Sequence, residues 1–360
     1  MGRITAHFDW VAFFLLLCLF SFGLFLLLTL GVNIFWQQLL FVLVAILLLI
    51  VFSRLDFALL WWVAPFGYIA GCLFLALSYL GPSIRGATRW IMIGGIQLQP
   101  SELAKPLFLL AFSYFMHKYS PRNLKNFPLH LVLFIVPFLL VYRQPDLGSS
   151  IIYGLAWLAM MLAGGLSVGA VIAAIVAGAF SLPFLWSILL PYQKDRIITF
   201  LDPAHDPGGA GYNALQAMIA VGSGQWIGRG LGRGTQSHLR FLPEHHTDFI
   251  FATLIEELGF LGGVVLLALY AGLLIRVIMP LIKPRTGHPG FFTFTLGLFS
   301  MLLSQIFINA AMNMGIIPIT GITLPFVSYG GSSLLSWAMC FGLLWALGRG
   351  KSEASTIAIH

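Results

Sequence analysis

Trp10-Val11-Ala12-Phe13-Phe14-Leu15-Leu16-Leu17-Cys18-Leu19-Phe20 begins an apolar run that reaches Leu30 without a charged residue. About 20 such residues cross the hydrocarbon core of a bilayer as a helix. No small-residue cleavage site follows the run, so it reads as a retained helix and not as a signal peptide. Nine more apolar segments lie further along: Ile34–Phe52, Phe57–Leu80, Leu103–Met116, Leu129–Tyr142, Ser150–Gly164, Val168–Leu190, Phe249–Ile275, Phe291–Met312 and Leu334–Leu347. Pro137 and Pro183 fall inside two of these and are expected to kink them.

The composition agrees with this reading. Hydrophobic residues make up 59% of the 360 and charged residues only 9%, where a soluble domain carries about 25% charged residues. The apolar runs do not alternate with polar residues, which excludes an outer-membrane barrel. The expected fold is all-α: one polytopic membrane domain over residues 1–360, with about ten transmembrane helices. A large extracytoplasmic loop, about residues 191–248, joins helices seven and eight. Cys18, Cys72 and Cys340 all sit in apolar runs, as small buried hydrophobes do. The net charge of +7 points to a basic juxtamembrane face or an anionic ligand. Nucleic acid is not an expected partner, because no basic soluble domain exists to hold it.

Lysines and arginines in the connections set orientation. With a cytoplasmic N-terminus, the clusters Lys118–Lys125 and Arg276–Arg285 face inward, as does the C-terminus. The outer side nevertheless keeps Arg85, Arg89, Lys105, Arg143, Lys194, Arg196, Arg229, Arg233 and Arg240. These pair with outer acids or bind an anion. The long loop carries Tyr212, Leu215, Ile219 and Trp226 at near-helical spacing between two glycine clusters. This predicts an interfacial or half-inserted helix folded back over the bundle.

Several polar constellations border the apolar runs. Glu244-His245-His246-Thr247-Asp248 leads directly into Phe249-Ile250-Phe251, and ionisable groups beside hydrocarbon usually mark function. Adjacent histidines do not share a face, and no zinc motif is present, so no resident metal site is expected. In Gln99-Pro100-Ser101-Glu102-Leu103-Ala104-Lys105-Pro106, Ser101 is a candidate N-cap. Glu102 and Lys105 share one helix face, as an ion pair or, with Arg85 and Arg89, as an anion site. Pro106 cannot donate to the Glu102 carbonyl, which leaves an acceptor free. Asp146 reads as a helix cap or a binding group. The glycine-arginine run Gly228–Gly234 resembles a phosphate loop but lacks the Walker lysine and serine. Glu256 and Glu257 are bundle glue or a proton path. Asn309, Asn313 and the turn-rich stretch Pro318–Ser332, which includes Ser328, are expected to line the same cavity.

Pro100-Ser101-Glu102-Leu103-Ala104-Lys105, Gln144-Pro145-Asp146-Leu147-Gly148, His246-Thr247-Asp248-Phe249-Ile250-Phe251, Glu256-Glu257-Leu258-Gly259 and Pro325-Phe326-Val327-Ser328-Tyr329-Gly330-Gly331-Ser332 together resemble the SEDS family, named for shape, elongation, division and sporulation. These motifs occur in family order along nearly the whole chain. Phe241-Leu242-Pro243-Glu244 is more similar to the elongation branch than to the division branch. The resemblance implies a ten-helix peptidoglycan glycosyltransferase in the bacterial cytoplasmic membrane, acting on lipid II. It implies work alongside a class B penicillin-binding protein and elongation-complex proteins. It maps the family's essential aspartate to Asp248 and its Glu–Lys pair to Glu102 and Lys105.

Polymerisation needs a base for the acceptor hydroxyl, and Asp248 is expected to serve. Lys105, oriented by Glu102, would hold the leaving diphosphate with Arg85 and Arg89 or with Arg196, Arg229 and Arg233. Asp146, His246 and Ser328 are the remaining expected binding residues. No cofactor is required, although a divalent cation, magnesium or manganese, is expected to accompany the diphosphate. The alternatives are a lipid II flippase or ion-coupled transporter and a non-catalytic scaffold.

Overall fold

The computed structural model describes residues 8–81, 89–94, 96–181, 191–202, 208–282 and 288–349, with a few single positions between them. The chain is helical almost throughout: α1 Trp10–Leu30, α2 Val32–Ser53, α3 Phe57–Leu77, α4 Pro100–Leu103, α5 Lys105–Lys118, α6 Phe127–Tyr142, α7 Leu147–Ala163 and α8 Val168–Phe180. There follow α9 Pro191–Leu201, α10 Ala210–Ser223, α11 Thr235–His238, α12 Ile250–Ile282, α13 Pro289–Asn313 and α14 Gly331–Leu347. Among the described residues six helices are long and apolar enough to cross a membrane, and α7 and α14 are shorter apolar helices. Each of the ten apolar segments coincides with a helix: α1 to α3, α5 to α8 and α12 to α14. The chain is a multi-pass α-helical membrane protein. Pro137 lies within α6, whereas Pro183 falls outside the described residues.

Local chemistry explains the helix starts. Asp9 caps α1, its carboxylate accepting from the Val11 and Ala12 amides at 3.1 and 3.0 Å. The same carboxylate pairs with Arg276 at 2.8 Å, tying α12 to the start of α1. Asp56 caps α3 through the Ala58 amide. One element departs from an all-α reading: an antiparallel hairpin of Ile91–Ile93 (β1) and Ile96–Leu98 (β2), paired Ile91 with Leu98 and Met92 with Gln97. Gly94 supplies the positive φ that its tight turn needs.

The core follows α14, whose Trp337, Cys340, Phe341 and Ala346 are fully buried. It packs against α2, α4 and α5, while α13 packs against α7, α5 and α12. Large apolar side chains on the outside of α1, α2 and α3, such as Phe14, Trp36, Leu47 and Trp62, are exposed, as lipid-facing positions are.

The long connection before α12 is not an open loop, since it contains α9, α10 and α11. As its glycine boundaries predict, α10 lies against the bundle, on α12 and α13. It buries its small face, Gly211, Ala217 and Ala220, and leaves Leu215 and Ile219 exposed. The apolar stripe therefore faces outward and the small residues permit the close approach.

Candidate active site

The helix that follows Asp248 breaks nine residues into its length. Gly259 has φ 72 and ψ −170, outside helical values. The break frees the carbonyls of Glu256 and Glu257 and the amides of Phe260 and Leu261. Residues 225–230 satisfy all four: the Arg229 amide donates to Glu256 at 2.9 Å, the Gly230 amide to Glu257 at 3.1 Å, and Phe260 and Leu261 donate to the Gln225 and Trp226 carbonyls. Backbone groups at membrane depth need such internal partners. A Cβ on Gly228 would lie 2.1 Å from the Glu257 carbonyl oxygen, so only glycine allows this fit. The glycine-arginine run thus seals a helix break, and two of its amides are already committed, not free to cradle a phosphate.

The Glu256 carboxylate sits at the start of α11. It accepts from the Gln236 and Ser237 amides at 2.8 and 3.2 Å and from the Ser237 hydroxyl at 3.0 Å. Glu257 accepts from Thr29 and lies 2.7 Å from His238 Nε2. Of the two readings of these acids, the bonds drawn here are those of glue: they join the loop to α1 and α12. Arg229 is exposed and donates to the Thr235 hydroxyl at 3.0 Å. Arg233 is also exposed on this loop, and half-buried Arg196 is carried by α9.

Glu102 and Lys105 flank a break between α4 and α5. Lys105 is fully buried and Glu102 nearly so. Lys105 Nζ donates to Glu102 Oε1 at 2.6 Å and to Gln305 Oε1 at 2.8 Å, and it lies 5.5 Å from the Trp337 ring centre. Desolvating both charges is costly, and pairing in good geometry is what offsets it. The acceptor freed by Pro106 has a partner: the Glu102 carbonyl takes the Ser336 hydroxyl of α14 at 2.6 Å. Ser101 is not the N-cap. Gln99 holds that position, and the Ser101 hydroxyl instead donates to Asp146 at 3.0 Å. Asp146 is buried and also accepts from Gln99 Nε2 and from the Ser149 amide, which caps α7. Its bonds lock the Glu102 segment in place. Arg89 precedes the hairpin, half-buried, with its guanidinium 5.9 Å from the Trp90 ring. Arg85 lies outside the described residues.

Asp248 is half-buried, two residues before α12 begins, where a helix N-terminus favours negative charge. Its surroundings come from two other segments. The stretch Pro325–Gly330 grips it from one side: the Ser328 hydroxyl donates to the Thr247 carbonyl at 2.6 Å, and the Tyr329 amide donates to the His246 carbonyl at 2.9 Å. The Ser328 oxygen also accepts from the Leu324 amide, so this hydroxyl is spent on shaping the loop. Gln38 of α2 holds that stretch in turn, donating to the Ser328 carbonyl. Gly321 passes so close to Asp248 that a Cβ there would lie 3.4 Å from Oδ2. The His246 ring lies 5.6 Å from that of Tyr329 and 5.2 Å from that of His245.

Burial, reinforced by the neighbouring His246, pushes the His245 pKa below the usual histidine value. Its Nδ1 donates to the Leu242 carbonyl, fixing the neutral tautomer. Burial pushes the Tyr329 hydroxyl up, and it remains protonated and donates to Gln37 at 2.6 Å. No group of three or more histidines, cysteines and acids among the described residues is arranged to hold a metal ion.

Gln305 escaped the sequence reading, which expected Asn309 and Asn313 only to line the cavity. Gln305, Asn309 and Asn313 recur every four residues on α13 and are all fully buried. Amides at that interval within an apolar helix are the signal that identifies them.

A family model described as cell cycle protein, covering FtsW, RodA and SpoVE, matches residues 4–353. The chain belongs to this family. The peptidoglycan glycosyltransferase MrdB of Escherichia coli, the RodA protein there, is 42% identical over 287 residues, 79% of this chain and 77% of that one. The probable peptidoglycan glycosyltransferase FtsW of Shewanella sediminis is 36% identical over 281 residues, 75% of this chain and 66% of that one. Among solved structures, a chain of a peptidoglycan synthase complex, described as coordinating polymerization and crosslinking, is similar with a TM-score of 0.82 at 30% identity, covering 95% of this chain and 98% of its own. The rod shape determining protein RodA of Thermus thermophilus gives a TM-score of 0.70 at 27% identity, over 96% and 98%. Both the family and the lean towards its elongation branch agree with the motifs read in the sequence.

Proposed function

We propose that this chain polymerises lipid II into glycan strands during cell elongation, with Asp248 as general base. The enzyme class, peptidoglycan glycosyltransferase, follows from the family and its curated relatives. The observation that carries the mechanism is that α13 holds both Asp248, half-buried at a helix start, through its main-chain carbonyl and the buried Lys105 through its ammonium. Asp248 takes the proton from the acceptor sugar 4-hydroxyl. The hydroxyl oxygen attacks the anomeric carbon of the donor, and the bond from that carbon to the diphosphate oxygen breaks. Its electron pair leaves with undecaprenyl diphosphate. A well-placed base contributes about 10²- to 10⁴-fold.

Lys105 supplies positive potential for the departing diphosphate, and Glu102 orients it. Arg85, Arg89 and Arg196 are the further cations assigned to this task, with Arg229 and Arg233 at the rim. A divalent cation, magnesium or manganese, would arrive with the diphosphate as part of the substrate, since the described residues offer it no ligand set. The site end of the bundle faces out of the cytoplasmic membrane in this reading, and both termini face in. A class B penicillin-binding protein and other elongation-complex proteins are the assigned partners. Purified protein with lipid II in detergent tests the proposal. Wild type is expected to make polymer and Asp248→Asn none, with normal folding and partner binding. Full polymerisation by Asp248→Asn rejects the base. Transport across sealed vesicles without polymer in detergent would assign a flippase.

A further inference from the structure

We propose that Gln305, Asn309 and Asn313 form a positioning ladder that holds the proposed base and the buried lysine in one frame. The proposal rests on the reading of Asp248 as base. The three residues are spaced four apart and so stack along one face of α13. At the first rung Gln305 accepts from Lys105 Nζ at 2.8 Å and donates to the Thr323 carbonyl at 2.9 Å. At the second, Asn309 donates to the carbonyls of Asp248 and Ile322 at 2.9 and 2.6 Å. At the third, Asn313 donates to the same Asp248 carbonyl at 3.0 Å and to the Asn309 carbonyl at 2.8 Å, and it accepts from the Ala252 amide at 3.1 Å.

These partners fix each amide's orientation. Gln305 faces an ammonium with its oxygen and a carbonyl with its nitrogen. Asn309 faces two carbonyls, so its NH₂ must point to them, and its Oδ1 is left buried without a donor. Asn313 faces a backbone N–H with its oxygen. An amide flip at any rung would set like against like. Leaving a buried acceptor unsatisfied is unfavourable, so Asn309 gives up a bond to keep both donations.

The double donation to one main-chain oxygen has a specific effect. Asp248 precedes α12, where its peptide lacks a regular helical environment. Two amide donors from α13 pin that peptide and thereby set the direction in which its side chain leaves the backbone. Gln305 and Asn309 also hold residues 322–323, next to Gly321, which borders the Asp248 carboxylate. Gln305, which holds Lys105, therefore sits about one turn from Asn309 and two turns from Asn313, which hold the base. A displacement of about 1 Å at reacting groups can cost about 10²-fold in rate.

The test uses purified full-length Asn309→Leu, Asn313→Asp and Gln305→Met with lipid II in detergent. Asn313→Asp keeps the acceptor for Ala252 but loses both donations. Each is expected to lower kcat about 10- to 100-fold while KM for lipid II stays within about twofold. Asn313→Asp, which brings a second negative charge near Asp248, should also move the acid limb of the pH profile to higher pH. Ser304→Ala, whose hydroxyl bonds only its own helix, should match wild type. Folded variants with wild-type kcat would overturn the ladder. So would activity lost only in proportion to folded protein with an unmoved acid limb, or failure of all three to fold, which assigns the residues to stability alone. Asp248→Asn, assayed alongside, separates the two readings. If it stays active the base assignment fails, and if it is dead while the ladder variants are normal only the ladder fails.

Discussion

His238 Nε2 lies 2.7 Å from the carboxylate of Glu257, and that contact fastens the segment before α12 to the helix itself. Glu257 also takes the Thr29 hydroxyl at the end of α1. Glu256, one residue earlier, serves α11. The two acids stand more than two turns after Asp248, and their bonds order the connection that leads into the proposed base.

Glu256→Ala should loosen this segment. It strips two backbone amides and two hydroxyls, those of Thr235 and Ser237, of their acceptor, at a cost of about 2–3 kcal/mol. Limited proteolysis should show faster cleavage between α10 and α12, and the thermal midpoint in detergent should fall. Unchanged protection would show that the carboxylate is not what orders α11.

Lys105→Met should destabilise the bundle more than it changes its shape, because Glu102 is left buried and unpaired. Breaking such a pair costs about 3–5 kcal/mol. The double variant Glu102→Gln, Lys105→Met removes both charges and should regain most of the thermal midpoint. It should remain inactive on lipid II. Recovery of activity along with stability would confine the pair to a structural role.

Gly228→Ala and Gly222→Ala should act in opposite directions. A Cβ on Gly228 meets the Glu257 backbone at a position that also has φ +81, so little folded protein is expected. Gly222 lies inside α10 with open space around it. Alanine there should raise the thermal midpoint slightly, by the equivalent of about 0.5 kcal/mol.

His245 predicts a pH dependence. Its folded pKa is depressed, so the native state prefers the neutral ring. Its contribution is complete above the ordinary histidine value and is lost as pH falls below it. The thermal midpoint of wild type should therefore drop more steeply from pH 7.5 to 5.5 than that of His245→Gln. Parallel curves would contradict the burial of this ring.

The spans and the chemistry-bearing motifs could be read because each is local. An uncharged run such as Trp10–Leu30 has one stable solution in a bilayer, and Pro106 announces a free acceptor whatever fills it. Glycine clusters likewise bounded α10. What could not be read depends on distant partners. The break at Gly259 hides inside a continuous apolar run, since only the facing carbonyls and amides of residues 225–230 make it tolerable. Asn309 and Asn313 could be read as cavity-lining residues, but what they and Gln305 bind depends on Lys105, Thr323 and Asp248, which only the fold brings beside them. The hairpin at Ile91–Leu98 is too short for alternation to declare itself, although Gly94 marks its turn.

The sealed break in α12 also orders biogenesis. In the orientation proposed above, with the site end outward, residues 225–230 must cross the bilayer before they can satisfy the carbonyls of Glu256 and Glu257. Until then this membrane segment carries bare peptide groups into lipid, which disfavours its settling there. Insertion of the eighth segment and maturation of the exported connection before it are thus one event, and a nascent chain stalled between them would be a substrate for quality-control proteolysis.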